Sequence, residues 1–247
     1  MTPEKFKTVI CIPGTWNNWE EFIHLIASEN NLDYLAAGGV LMNVKEKKHF
    51  GIEFCERDEK MKEAFKFAGM VTRVSDNFIT NIDNHKHNIY ISAETGNLED
   101  AKAIAFAATS ILKAGGIGIK IETTGKAFEK DKWLKLTDTF EESSLYEMFV
   151  VDSITDTDGT VYSCGMQNLG YKDTIVSGLE FQESVDVISI FSYYQIIDKP
   201  IISNNQTFST AIDSPKFLIT NETNYPNKGD ELFGNPDGMW RLEKIAI

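Results

Sequence analysis

Apolar and polar positions along this chain alternate with two periods, and the run at 88–124 shows both. Residues 88–94 (NIYISAE) alternate as a half-buried strand does. Thr95-Gly96-Asn97 interrupts them, and Asn97 stands where an N-cap belongs. Glu99 and Asp100 follow in the first turn, where carboxylates favour the positive end of the helix dipole. Leu98, Ala101, Ala105, Ala108 and Leu112 recur at the spacing of one helical face, with Ile104 and Ile111 beside them. Gly115-Gly116 ends the helix, and 117–122 (IGIKIE) reads as a second strand. Strand, helix and strand make a βαβ unit with a right-handed connection, packing the helix stripe on Ile89, Ile91, Ile119 and Ile121.

Upstream, 8–13 reads as a short buried strand closed by Pro13-Gly14. Asn18 with Glu21 forms a capping-box pattern ahead of a helix striped by Trp19, Phe22, Ile23 and Ile26. Segments 35–44 and 49–55 read as a hairpin, with Gly38-Gly39 delaying the first strand or bulging it. Asp58 caps a helix that buries Met61, Ala64, Phe65 and Ala68, and 71–84 is irregular with one helical turn. The order β-α-β-β-α-β is that of a split βαβ, ferredoxin-like arrangement. The class predicted is therefore α+β: mixed sheets with packed helices, the split arrangement in the first half, and the βαβ unit at its centre.

Downstream, 125–137 reads as a short helix turning Phe128, Trp133 and Leu134 inward. The polar stretch 138–144 marks a boundary between an N-terminal α/β lobe (1–137) and a C-terminal α+β lobe (138–247), the two expected to pack as one body. Segments 145–154 and 160–166 flank a turn at 155–159. In 181–197, VDVISI alternates like a strand while Val185, Ile188 and Phe191 suit a helix; the length favours helix, and Pro200 stops it. Strands are expected near 206–212, 217–220 and 239–245, with an Asn/Pro/Gly-rich loop at 221–238.

Composition narrows the function classes. The apolar runs are far shorter than the roughly 20 residues a bilayer-spanning helix needs, which argues against a membrane protein. The N-terminus lacks a basic-then-apolar leader, so a cytoplasmic location is expected. A net charge of −13 opposes nucleic-acid binding, which needs clustered Lys and Arg; it promotes solubility or, on a sharper reading, makes an acidic face for a basic protein partner. Cys11, Cys55 and Cys164 are widely spaced and read as apolar fillers.

Candidate chemistry is sparse. Asp156-x-Asp158-Gly159 has the start of a calcium loop, but the twelfth position is Gln167 rather than Glu, so it reads as a hairpin turn. His85 and His87 could share a metal only with further ligands, and a solvated strand entry is the simpler reading. The glycines at 115–118 end a helix and open a strand, the reverse of a phosphate loop. Glu122, Glu129, Asp131 and Asp152 could converge near the sheet end for acid-base work. No cofactor, metal site or catalytic residue is expected from these patterns.

Several motifs carry a resemblance. Gly38-Gly39-Val40-Leu41 is followed by a hairpin partner, a His-containing entry to 87–92, an Ala-rich helix and a Gly-rich strand. Farther on come Asp158-Gly159 and the pattern G-x-x-x-L-G-x-x-D at 165–173. Over about 8–212 the chain resembles the bacterial family known as domain of unknown function 4261. It departs from that pattern at 56–60, which replaces a Pro-rich stretch, and at 203–207, where SNNQT replaces an acidic D-G-D-T segment. The resemblance implies fold and compartment and, through gene neighbourhoods of similar domains, an immunity-type association.

The function expected is a non-enzymatic binding, immunity-type or regulatory protein with an acidic surface. The alternative is a small-molecule-binding domain or hydrolase-like enzyme with a carboxylate-lined pocket. The loops 138–144 and 221–238 supply the candidate binding charges Asp138, Glu141, Glu142, Asp230 and Glu231, with Phe233 and Trp240 at the end of the second loop as aromatic anchors. A competing reading has the two aromatics closing a core under the loop.

Overall fold

A computed structural model describes residues 6–245 and divides into two compact units. The first comprises the chain to Thr95 with Glu99–Glu141, and the second comprises Gly96–Leu98 with Glu142 onward. This division falls inside the polar stretch at 138–144. The fold is α+β, with one antiparallel and one mixed sheet.

The first unit runs β1 (Lys7–Gly14), α1 (Trp19–Ser28), β2 (Tyr34–Ala37), β3 (Val40–Asn43), β4 (Lys48–Glu56), α2 (Met61–Ala68) and α3 (Asp76–Ile82). It continues with β5 (His87–Glu94), α4 (Leu98–Lys113), β6 (Gly118–Ile121), β7 (Lys126–Glu129) and α5 (Lys130–Asp138). Its seven strands lie in the order β2-β3-β4-β5-β1-β6-β7, all neighbours antiparallel. Since β5 and β6 are each antiparallel to β1 between them, they are parallel to each other, joined by α4.

Strand alternation puts one side of this sheet under α4. Ile10 faces Ile91 and Ile121, and Ile12 faces Ile89. These residues, Ile119, and Ala101, Ala105, Ala108 and Leu112 of α4 are fully buried, while Leu98 at the helix start is half-buried. A Cβ on Gly116 would stand 2.7 Å from Ile12 Cγ2 and 3.0 Å from Leu112 Cα, so glycine here lets the helix end reach the strand. The opposite side carries Cys11, which packs with Met61, Phe65, Phe78 and Ile82 of α2 and α3. Asn18 Oδ1 accepts the Glu21 N–H at 2.9 Å, as a capping box requires, but Glu21 Oε2 reaches back one residue farther, to Asn17 N–H at 2.6 Å.

The second unit runs α6 (Glu142–Phe149), β8 (Val151–Thr155), β9 (Val161–Cys164), a 3-10 turn (Met166–Leu169), β10 (Asp173–Val176) and α7 (Phe181–Ile197). It ends with β11 (Thr207–Ser209), β12 (Lys216–Glu222) and β13 (Met239–Lys244). The order is β11-β12-β13-β10-β9-β8, and only β10 with β13 is parallel. Val187, Ile188 and Phe191 of α7 meet Val161, Val176, Phe217, Ile219 and Leu242 of the sheet.

Six points depart from the sequence reading, the first being the start of α2, where Lys60 stands at the N-cap with no side-chain bond and Asp58 Oδ1 accepts the Lys60 N–H at 2.9 Å. Gly38-Gly39 makes no bulge: the hairpin strand β3 does start late, at Val40, and the two glycines, with left-handed φ (56° and 81°), turn the chain from an additional strand, β2. The irregular stretch 71–84 contains α3, started by Ser75 Oγ accepting the Phe78 N–H at 3.2 Å. The stretch 125–137 is a strand and then a helix, because β7 pairs along β6. Helix α6 replaces the first part of the expected strand at 145–154. Its Leu145, Tyr146, Met148 and Phe149 are all buried, so no alternation marks it. With α5 reaching Asp138 and α6 starting at Glu142, the polar loop shrinks to three residues, 139–141.

Candidate functional site

Among the expected binding residues, Asp138 ends α5, Glu141 lies in the short connection and Glu142 opens α6; all are exposed. Glu142 pairs with Lys199 at 3.0 Å. The 221–238 loop is more ordered than its composition suggests. Asp230 Oδ1 accepts the backbone N–H of Leu232 at 2.9 Å and of Phe233 at 2.8 Å, which holds its carboxyl below the usual range. Glu231 and Phe233 are exposed. Trp240 belongs to β13 rather than to the loop; it packs beside the core under α7, and the Lys172 ammonium lies 4.5 Å above its ring. The core-closing reading therefore describes Trp240, while Phe233 stays outside that core.

The loop is anchored by a buried polar group that the sequence reading passed over. Asp173 is fully buried at the start of β10. Its Oδ1 accepts from Ser163 Oγ (2.9 Å) and the Met166 N–H (3.2 Å), and its Oδ2 accepts from Asn235 Nδ2 (2.8 Å). The same Asn235 amide donates to Tyr171 O at 2.9 Å, so it ties the loop to the segment that follows the 3-10 turn. Burial pushes the Asp173 carboxyl up to about 6, against the pull of those hydrogen bonds. Gly165 and Gly170 bracket the turn at φ 125° and 81°. The G-x-x-x-L-G-x-x-D pattern thus builds a turn and supplies its buried acceptor.

The two histidines are structural in their contacts. His85 is buried instead of solvated. Asp58 N–H donates to its Nε2 at 3.2 Å, leaving Nδ1–H to donate to Ile82 O at 2.7 Å, and burial holds its pKa below the usual range. His87 stacks on Phe54 with centroids 4.5 Å apart, and its Nδ1 meets Trp16 O at 2.8 Å. Among the described residues, no three His, Cys, Asp or Glu side chains are placed to hold a metal.

The candidate carboxylates have separate local partners. Glu122 is paired with Lys120, and Asp152, in the second unit, accepts from Tyr146 Oη at 2.6 Å. Glu129 and Asp131 share a cleft of about 360 Å³ beside Ser75 and Asn81, where Glu129 Oε1 accepts the Ser75 N–H at 2.6 Å. A larger groove of about 560 Å³ is lined by Glu46, Lys48, Glu99, Lys102, Ala103 and Phe106. Lys48 pairs there with Glu99 (3.1 Å) and Asp100 (3.5 Å), and Lys102 lies 4.5 Å over Phe140.

Helix α7 carries a second apolar stripe. Its inner side holds Val187, Ile188 and Phe191, but Ile190, Tyr194 and Ile197 are 43%, 36% and 50% exposed. Their spacing of four and three residues was visible in the sequence, where only the inner stripe was read. Comparison with protein-family models, with curated proteins and with solved structures finds no match.

Proposed function

We propose that this chain is a non-enzymatic binding protein, of immunity type or regulatory, that meets a basic protein partner in the cytoplasm through an acidic surface and does not bind nucleic acid. The observation that carries this reading is the charge of −13 together with the exposure of Asp138, Glu141, Glu142, Asp230 and Glu231. Burial raises the Cys11 and Cys164 thiols, opposite to what a nucleophilic thiolate needs. Among the described residues, no helix is long and apolar enough to cross a membrane.

The family resemblance belongs to the same proposal, carried by Gly38-Gly39-Val40-Leu41 and the stretch 165–173. So does a split βαβ, ferredoxin-like core. Its members differ from the order read over 8–94, because β4 and β5 are antiparallel neighbours and α2 between them makes no crossover. Its support is instead the order β4-β5-β1-β6, with α1 and α4 each inside a crossover and both the β2–β3 hairpin and α2–α3 as insertions.

Affinity capture at low and at physiological salt, with Glu141, Glu142, Asp230 and Glu231 all reversed to Lys, tests the binding reading. Loss of a salt-sensitive partner at unchanged thermal stability supports it; capture indifferent to both salt and reversal removes it. The second reading, a small-molecule-binding domain or hydrolase-like enzyme, rests on the 560 Å³ groove with Glu46 and Glu99 in its wall. That volume suits a small ligand. A thermal-shift screen of small metabolites tests it, because a groove ligand raises the midpoint in wild type and not in Lys102→Glu.

A further inference from the structure

Helix α7 contains no Lys or Arg, and its side chains do not segregate into one apolar and one polar face. A surface helix normally places its apolar residues on one stripe against the core. Here the core-facing set already includes Val187, Ile188, Phe191 and Ile196, all buried. Ile190, Tyr194 and Ile197 lie on the other side at helical spacing, and Ile201 beyond Pro200 is 91% exposed. Tyr194 also borders the core, its ring 6.4 Å from that of Phe191 and 5.8 Å from that of Phe208, whereas the exposed parts of Ile190, Ile197 and Ile201 incur a solvation cost without a packing return.

The charges on α7 and its two caps are of one sign. Glu180, Glu183 and Asp186 lie at the N-terminal end and Asp198 at the C-terminal end, all exposed. Two cations belong to neighbouring segments and are already engaged: Lys244 with Glu183 at 3.4 Å, and Lys199 with Glu142 at 3.0 Å. We infer that the outer face of α7 is a docking surface for a basic amphipathic helix, its apolar residues seated on Ile190, Tyr194 and Ile197 and its Lys or Arg residues meeting Asp186 and Asp198. This rests on the acidic-surface reading above and gives it a place and a partner geometry.

Charge also selects against a second copy of the chain as occupant. An antiparallel pairing of two α7 helices centred between Ile190 and Tyr194 would set Asp186 of each copy opposite Asp198 of the other. No cation on either helix would offset that repulsion. A basic helix turns the same acids into attraction while burying the same apolar stripe.

The test uses the full chain and a synthetic helix of about 18 residues with Leu at helical spacing and Lys elsewhere. Two controls replace every Lys by Glu or scramble the Leu positions. At physiological salt, fluorescence anisotropy should show binding of the Lys/Leu helix alone. The double variant Ile190→Ser with Ile197→Ser should weaken it at least about tenfold, with its melting midpoint unchanged. Asp186→Lys with Asp198→Lys should weaken it as well. Binding that survives both double variants overturns the α7 assignment and leaves the acidic-surface reading standing. Absence of any binding to wild type overturns both. Equal binding of the scrambled peptide overturns recognition of a helical stripe. A wild-type dimer that the Ser variant dissolves would make a second copy the occupant and overturn the basic partner.

Discussion

Helices α4 and α7 are of similar length and each packs on a sheet, yet their surroundings differ. In α4, ten of the sixteen residues, from Ala101 to Leu112, are buried. The side away from the sheet is covered as well: Trp133 Nε1 of α5 donates to Thr109 Oγ1 at 3.0 Å, and Asn30 Nδ2 donates to Ser110 O at 3.0 Å. Alanine suits this position because a small side chain lets neighbours approach from several directions. In α7 the inner side is filled with large residues and the outer side keeps large apolar residues in water. An all-round apolar helix therefore has two meanings: fully covered by its own chain, or half-covered and left available.

The largest expected effect comes from uncovering α4. Trp133→Ala removes a fully buried ring and the bond to Thr109, and should lower stability by about 3–5 kcal/mol in a denaturant titration. A loss below about 1 kcal/mol would mean that the second layer over α4 contributes little.

Adjacent residues of α7 sharpen the contrast within one helix turn. Phe191→Ala empties the core beneath the helix and should cost about 3–5 kcal/mol. Ile190→Ala should stay within about 0.5 kcal/mol, since it removes only an exposed side chain. Similar costs at both positions would show that the outer stripe is structural and break the comparison.

A smaller effect depends on pH. The Asp173 carboxyl, raised to about 6, holds its proton more tightly in the native state than in the unfolded chain. The native state therefore carries more protons across about pH 4 to 6, and stability falls as pH rises through that window. Asp173→Asn removes this titration. The variant should be less stable by about 1–3 kcal/mol at pH 4, where it loses an acceptor toward Asn235. It should then gain on wild type as pH approaches 7, by roughly 3 kcal/mol at most. Parallel pH profiles for the two proteins would contradict the raised value.

The smallest effect is expected from calcium. Asp156 Oδ1 already accepts the Thr157 N–H at 2.6 Å, and Asp158 Oδ1 accepts the Thr160 N–H at 2.9 Å. Millimolar calcium should thus move the melting midpoint by less than about 1 °C. Titration calorimetry giving a micromolar dissociation constant would overturn the turn assignment.

The sequence was legible where periodicity had room to repeat. Helix α7 spans the stretch read as Phe181–Ile197, and α4 begins at the Leu98 that follows the expected cap. Among elements of four residues, β6 and β9 were legible and others were not. Strand β10 (DTIV) opens with an aspartate, a residue depleted in strands, so its buried role was hidden behind its charge. Strand β7 (KAFE) is too short to separate strand from helix by pattern. The exposure of Glu141, Glu142, Asp230 and Glu231 followed from composition alone. The outer stripe of α7 did not, because a single inner stripe was enough to satisfy the helix reading.

One consequence of the strand lengths concerns edges. The seven-stranded sheet is bordered by β2 and β7, four residues each, while β1, β4 and β5 inside it have eight, nine and eight. The other sheet is bordered by β11, three residues long, and β8, five residues long. Such short borders present few free N–H and C=O groups in line, so another polypeptide has little template on which to add a strand. Self-templating into fibrils then requires loss of a border strand first, which links aggregation to local unfolding at the sheet margins more than to concentration of the folded form.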